Sequence, residues 1–68
     1  MITIVLKDKE ITMLGAWKES RHKFAVASGE PHAGVEVLGN NAKFVKSQYD
    51  ENQDDTYDIY EVINGIVL

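Results

Sequence analysis

The apolar residues of this chain lie in short runs, and the longest of them, residues 24–27, has four members. A membrane helix needs about 20 consecutive apolar residues, so the sequence predicts no membrane-spanning segment. Residues 1–3 carry no basic group and the first apolar stretch stops at Lys7, which does not fit a secretory signal peptide. We therefore expect a soluble, cytoplasmic protein that does not bind membranes.

The chain has 68 residues and contains no cysteine. A domain of this size buries only about 60% of the surface that its unfolded chain exposes. Without cysteine, neither a disulfide nor a thiolate zinc site can stabilise it further. The sequence therefore predicts one small acidic domain, residues 1–68, of marginal stability.

Most of the short runs are rich in β-branched and aromatic residues, which favours strands. We expect residues 2–14 to form one hairpin, and Asn64-Gly65 predicts another before the last strand. The loop residues glycine and proline cluster in residues 28–34, and residues 39–41 fit a turn. The predicted strands are residues 2–7, 11–14, 22–28, 35–38, 56–63 and 66–68.

Two segments fit more than one structure. Residues 15–21 are compatible with a helical turn or with the twisted end of the second strand. Residues 42–49 fit a strand that forms a hairpin with residues 35–38, which we favour, or a helix capped by Asn41. The predicted fold class is mainly β, a small antiparallel sheet or barrel-like roll of about five to seven short strands, similar in class to SH3 and OB folds, with α+β as the alternative.

The whole chain has a net charge of −4, and its acidic residues are concentrated in the second half. Residues 1–34 carry five bases and four acids, whereas residues 35–68 carry two bases and seven acids. Six of those seven acids lie in residues 50–61, which contain no base. Such a field repels a phosphate backbone. We therefore expect no direct binding to nucleic acid and a protein partner with a basic surface.

Tyrosines flank or interrupt the acids of this segment. In a strand, Tyr57 and Tyr60 point to opposite faces, so one can pack in the core while the other is exposed as an interface anchor. The alternative is that the tyrosines complete a small core, where Trp17 is also expected. The predicted partner-binding residues are Tyr49, Asp50, Glu51, Asp54, Asp55, Tyr57, Asp58, Tyr60 and Glu61.

The same segment resembles the calcium loop of EF-hands. Ligand positions 1, 3, 5, 9 and 12 of that loop match Asp50, Asn52, Asp54, Asp58 and Glu61, with the Thr56 carbonyl at position 7. Position 6, a glycine in EF-hands, is Asp55, and a strand rather than a helix is predicted after the loop. We predict no metal or cofactor, and calcium binding is kept as an alternative.

A second resemblance is carried by Tyr49-Asp50-Glu51 with Asp54 three residues on. This spacing is similar to the tyrosine-acid segment of the phage uracil-DNA glycosylase inhibitors, which are small, acidic, cysteine-free proteins that mimic DNA. The similarity covers about six positions, and no site residue is carried over, because the acids with which that family seats its target have no matching motif here. Independently of that family, carboxylates on a rigid β scaffold can imitate phosphates and occupy the basic groove of a DNA-binding protein. The small size, the acidic charge and the lack of catalytic groups suit an inhibitor of a host defence or nucleic-acid-binding protein, encoded by a phage or mobile element.

Residues for catalysis are scarce. No serine lies in a Gly-x-Ser-x-Gly elbow, and the sequence has no Gly-rich phosphate loop and no metal-binding histidine pair. His22 lies between two bases, and His32 lies in the proline-glycine loop. We therefore expect a protein that is not an enzyme. The apolar end, residues 66–68, suggests as a further alternative an assembly role in which this strand pairs across a homodimer.

Overall fold

The computed structural model describes residues 1–29 and 32–68. Its strands and helices follow one another closely along the chain, joined by short turns. In chain order they are β1 (Ile2–Leu6), β2 (Glu10–Met13), β3 (Ala16–Ser20), β4 (Lys23–Ala27), α1 (Ala33–Leu38), a 3-10 turn (Gly39–Asn41), β5 (Ala42–Asp50), β6 (Asp55–Val62) and β7 (Gly65–Val67).

The described strands form two antiparallel sheets. One sheet has the order β2-β1-β7, and the other has the order β3-β4-β6-β5. In the described part of the chain there are thus seven strands and one short α-helix, without a closed barrel. The expected mainly β class is confirmed, as an open pair of sheets rather than a barrel.

The core lies between the two sheets, with α1 closing one side. Its fully buried side chains come from both sheets, and α1 adds Leu38. The four-stranded sheet presents Phe24 and Val26 to this core, and we call that side its inner face. Directly paired residues share a face, so Trp17, Ala25 and Ile59 lie together on the opposite side, the outer face.

Five of the six predicted strands are confirmed to within one residue at each end, as β1, β2, β4, β6 and β7, and the hairpin of residues 2–14 is the β1–β2 pair. Residues 15–21 are neither a helical turn nor the end of the second strand. Gly15, at φ 73°, turns the chain so that Ala16–Ser20 becomes a separate strand, β3, paired with β4. This turn places the small side chain of Ala16 in the core and leaves Trp17 41% exposed, so the expectation of a core tryptophan was wrong.

The strand predicted at residues 35–38 was wrong, because these residues belong to α1. Leu38 is buried and Val35 packs against the core, which is a spacing of one helical turn. Gly34 allows this close packing, since a Cβ there would lie 2.7 Å from Met13 Cγ. Residues 42–49 form a strand, as we favoured, and belong to β5. The expected hairpin with residues 35–38 does not form, because those residues are helical, and β5 pairs with β6 instead.

Asn64 adopts a positive φ of 60°, as its turn role requires, yet the predicted final hairpin does not form. β7 crosses to the other sheet and pairs with β1. Its closeness to β1 depends on Gly65, where a Cβ would lie 2.6 Å from the carbonyl oxygen of Val5.

The predicted loop at residues 28–34 is described only in part, because residues 30 and 31 lie outside the described residues. Ser28 and Gly29 form a turn, and the last residues of the predicted loop already belong to α1. Within residues 1–29 and 32–68, no helix is long and apolar enough to cross a membrane.

Candidate binding surface at the tip of the long hairpin

The hairpin of β5 and β6 extends beyond its neighbouring strand. β4 accompanies β6 only as far as the pair Ala27–Tyr57, and one further hydrogen bond runs from the Ser28 N–H to the Thr56 carbonyl at 3.0 Å. The ladder between β5 and β6 continues to the pair Asp50–Asp55. This projecting end helps to make the molecule elongated, at 37 × 21 × 20 Å. We call residues 49–56 the hairpin tip.

Local hydrogen bonds fix the turn of the hairpin tip. The Asp50 carboxylate accepts the Asn52 N–H at 2.9 Å, and the Asp55 carboxylate accepts the Thr56 N–H at 2.9 Å. Asp54 adopts a positive φ of 51°, which aspartate tolerates better than most residues. Its carboxylate accepts a hydrogen bond from the Tyr49 hydroxyl. That hydrogen bond, with smaller contributions from burial and from the Asp50 charge, raises the pKa of Tyr49.

Four of the six predicted acids lie in the hairpin tip: Asp50, Glu51, Asp54 and Asp55. Asp50 and Asp55 are directly paired and point to the outer face, where their Cβ atoms lie about 4.5–5.5 Å apart as in any antiparallel pair. Like charges in this position destabilise a sheet. The tip therefore concentrates negative charge at a cost in stability.

Asp58 lies on the inner face and does not join the tip. Its carboxylate accepts hydrogen bonds from the hydroxyls of Ser28 at 2.5 Å and Ser47 at 2.6 Å. These two bonds lower the pKa of Asp58, burial opposes them, and the charge of His32 contributes a further lowering. Asp58 thus connects β6 to the end of β4 and to β5.

Glu61 is separated from the other acids by the fold. The register of the sheet places Lys23 on β4 and Lys43 on β5 directly beside it, one on each side. Cross-strand neighbours of opposite charge attract each other. Glu61, the last acid of residues 50–61, therefore has a lysine as its register neighbour on each adjacent strand, whereas the acids of the tip have none.

The tyrosines of β6 point to opposite faces, as expected. Tyr60 packs on the core, with its ring centroid 5.6 Å from that of Phe24 and 5.7 Å from that of Phe44. Tyr57 is half-buried on the outer face, where its ring meets Trp17 edge-on at 5.5 Å and 64°. Of the predicted binding residues, Tyr60 thus contributes to the core, whereas Tyr57 adjoins the tip.

Trp17 and Glu19 are part of this surface and were not predicted to be. The indole N–H of Trp17 donates to the Glu19 carboxylate at 3.0 Å. With Tyr57 and the tip they border a cleft of about 480 Å3. The cleft is lined by Trp17, Glu19, Ala27, Asp50, Gln53, Asp55, Thr56 and Tyr57. No sequence signal indicated this grouping, because hydrophobicity places Trp17 in the core.

The hairpin geometry is unlike an EF-hand loop, whose ligands converge on one point. A strand rises about 3.3 Å per residue, so Glu61 lies roughly 20 Å along β6 from Asp55. Asp58 and Asp55 also point to opposite faces of the sheet. Among residues 1–29 and 32–68, no group of three or more His, Asp or Glu side chains is arranged to hold a metal ion.

The C-terminal strand is engaged within the chain. The N–H of Val67, which faces away from β1, donates to the Arg21 carbonyl at 2.7 Å. His22 Nδ1 lies 3.2 Å from the carbonyl oxygen of Gly65. This edge of β7 is therefore occupied, which argues against its pairing with a second copy.

Comparison of the chain with models of protein families, with curated proteins and with solved structures found no match.

Proposed function

We propose that this protein is a non-enzymatic binding module that engages a basic site on a protein partner through its hairpin tip. The observation that carries the proposal is the direct pairing of Asp50 with Asp55, with Glu51 and Asp54 between them. Four carboxylates on a projecting turn produce a local field that attracts a basic surface and speeds encounter with it.

The energetic cost of this arrangement supports a role in binding. A chain of 68 residues has little stability to lose, and two opposed aspartates lower it further. Arrangements that oppose folding are typical of functional sites. In contrast, Asp58 accepts hydrogen bonds from two serine hydroxyls and Glu61 is flanked in register by two lysines, so we place the partner contact on the four acids of the tip.

The particular form of this function that we propose is inhibition of a host protein by imitation of DNA. Basic grooves that hold nucleic-acid phosphates have the charge that the tip would complement. Carboxylates on a sheet held by cross-strand hydrogen bonds can occupy such a groove without strong ordering costs. A small protein encoded by a phage or mobile element could act in this way by contact alone.

Affinity capture from a host lysate tests the proposal with two variants of equal charge. The tip variant carries Glu51→Gln, Asp54→Asn and Asp55→Asn, which retain an oxygen acceptor at each position. The control variant carries Asp8→Asn, Glu10→Gln and Glu36→Gln, three exposed acids on β2, α1 and the turn after β1. Circular dichroism establishes that both variants are folded.

We expect the wild type and the control variant to capture the same basic protein and the tip variant to lose it. With that purified protein, the tip variant should lower the association rate by about tenfold or more at low salt, and the difference should shrink as salt rises. Equal capture by both variants, or an equal association rate, would overturn the proposal.

A further inference from the structure

The lining of the cleft beside the hairpin tip combines aromatic and acidic side chains. Trp17 and Tyr57 provide aromatic surface, and Ala27 adds a small apolar side chain to the lining. Glu19, Asp50 and Asp55 are the charged residues in its lining. Its volume of about 480 Å3 lies within the range of small-ligand pockets.

Trp17 and Tyr57 pack together at the aromatic end of the cleft. The ring of Tyr57 contacts Trp17 edge-on, with centroids 5.5 Å apart. The indole N–H donates to the Glu19 carboxylate at 3.0 Å. Trp17 remains 41% exposed. An accessible indole can bind a cation on its face, and tryptophan is the strongest aromatic side chain for this contact.

The acidic residues of the cleft indicate that its ligand carries a positive charge. Asp50 and Asp55 stand side by side on the outer face, and Glu19 lies at the aromatic end. No lysine or arginine is among the described residues that line it. A positively charged group that entered would relieve the repulsion between the two aspartates and contact the indole at the same time.

We propose that this cleft binds the guanidinium group of an arginine side chain presented by the protein partner. A guanidinium is planar, so it can stack on Trp17 while its N–H groups bond to the carboxylates of Asp50 and Asp55. The ammonium group of lysine is more strongly hydrated and has no flat face, and so suits the cleft less well. This inference rests on the proposed function and names the group that the outer face of the tip would recognise.

Titration with three blocked tripeptides tests the inference without a known partner. The probes are acetyl-Gly-Arg-Gly-amide, the lysine equivalent and the citrulline equivalent, which has nearly the shape of arginine without its charge. Trp17 is the single tryptophan of the chain, so its fluorescence and the NMR resonance of its indole N–H report on the cleft directly. We expect a saturable response to the arginine probe, a weaker one to lysine and none to citrulline.

Two variants locate the binding. Asp55→Asn should raise the Kd for the arginine probe by about threefold or more, since it removes a charge that lines the cleft. Glu51→Gln also removes one negative charge from the hairpin tip. Because Glu51 does not line the cleft, this variant should change the Kd less. Equal effects of the two variants, equal binding of lysine or citrulline, or no saturable response to arginine would overturn the inference.

The two proposals can fail separately. If the arginine probe does not bind while the tip variant still loses its captured partner, the arginine cleft is wrong and the acidic tip stands. If the probe binds at the cleft while the tip variant captures the same partner as the wild type, the proposed function is wrong.

Discussion

Asp50 and Asp55 occupy directly paired positions on β5 and β6, so two carboxylates face each other at the end of the long hairpin. Each of them also accepts a backbone N–H, Asp50 from Asn52 in the turn and Asp55 from Thr56 on β6. The carboxylate oxygens of these aspartates therefore stabilise the end of the hairpin, whereas their like charges destabilise it. Substitution by asparagine removes the charge and retains an oxygen acceptor, so the two effects can be measured separately.

We expect Asp55→Asn to stabilise the fold by about 0.2–1 kcal/mol at low salt, because it removes the repulsion while retaining an oxygen acceptor. For a domain of this size that corresponds to a rise in Tm of up to about 8 °C. The matched control is Glu10→Gln, which removes one exposed acid from β2 on the other sheet. Thermal unfolding at several salt concentrations should show a gain for Asp55→Asn that exceeds the control and shrinks with salt. An equal gain in both variants would show that only net charge matters.

Asp58 makes the stability of the fold depend on pH. Because hydrogen bonds from Ser28 and Ser47 place its pKa below the ordinary value of 3.8, its carboxylate stabilises the fold above that pH. This contribution is lost as the pH falls through the lowered pKa of the folded state. In urea unfolding between about pH 6 and pH 2, Asp58→Asn should therefore flatten the acid side of the stability curve.

The control for this prediction is Asp8→Asn, an exposed acid in the turn after β1. It should leave the slope of the curve close to that of the wild type. Ser47→Ala should raise the pKa of Asp58, followed by NMR of the side-chain carboxyl carbon, since it removes one of the two hydroxyl donors. A wild-type slope in Asp58→Asn would contradict the prediction.

Glu61 should act in the sheet rather than at the partner surface. It lies between Lys23 and Lys43 in the register, and exposed cross-strand pairs of this kind contribute about 0.2–1 kcal/mol. We expect Glu61→Gln to lower the free energy of unfolding by an amount in this range and to leave partner association nearly unchanged. A double-mutant cycle with Lys43→Met measures the coupling. Zero coupling at low salt would show that the two side chains do not interact.

Gly65→Ala should destabilise the fold by about 1–3 kcal/mol, because the added methyl would meet the Val5 carbonyl oxygen and Leu6 at 2.6 Å. β7 would then have to move away from β1. Gly34→Ala is the comparison variant. Its added methyl would meet the flexible side chain of Met13. Alanine also favours a helix over glycine by about 1 kcal/mol. Urea unfolding should show the larger loss for Gly65→Ala, and a larger loss for Gly34→Ala would contradict this view of the β1–β7 contact.

Local pattern was sufficient for much of the secondary structure. The runs at residues 2–7, 22–28 and 56–63 are strands because β-branched and aromatic side chains suit a pleated, half-buried surface. The opposite directions of Tyr57 and Tyr60 also followed from the two-residue period of a strand. In contrast, the alternation in residues 35–38 was misleading, because the apolar residues of one turn of helix can have the same short pattern.

Long-range pairing could not be predicted in the same way. Asn64 has the positive φ that its sequence indicates, yet the strand after it pairs with β1. The choice between a local and a distant partner depends on which arrangement buries more apolar surface. Val67 is almost fully buried in the core, where the β1–β7 ladder pairs it with Ile4, so the distant pairing buries apolar surface.

The sequence by itself determined that this is a small, mainly β chain with its negative charge concentrated in residues 50–61. Tertiary structure alone decided which of those charges have neighbours of opposite charge or hydroxyl donors on other strands and turns. Pairing with β4 and β5 gave Glu61 two lysine neighbours and Asp58 two hydroxyl donors, while the tip, whose own residues include no lysine or arginine, extended past β4. The pairing of strands also brought Trp17 beside Tyr57. Which charged and aromatic side chains become neighbours across a sheet depends on strand register. Register is set by burial of the hydrophobic core and cannot be read from the order of residues along the chain.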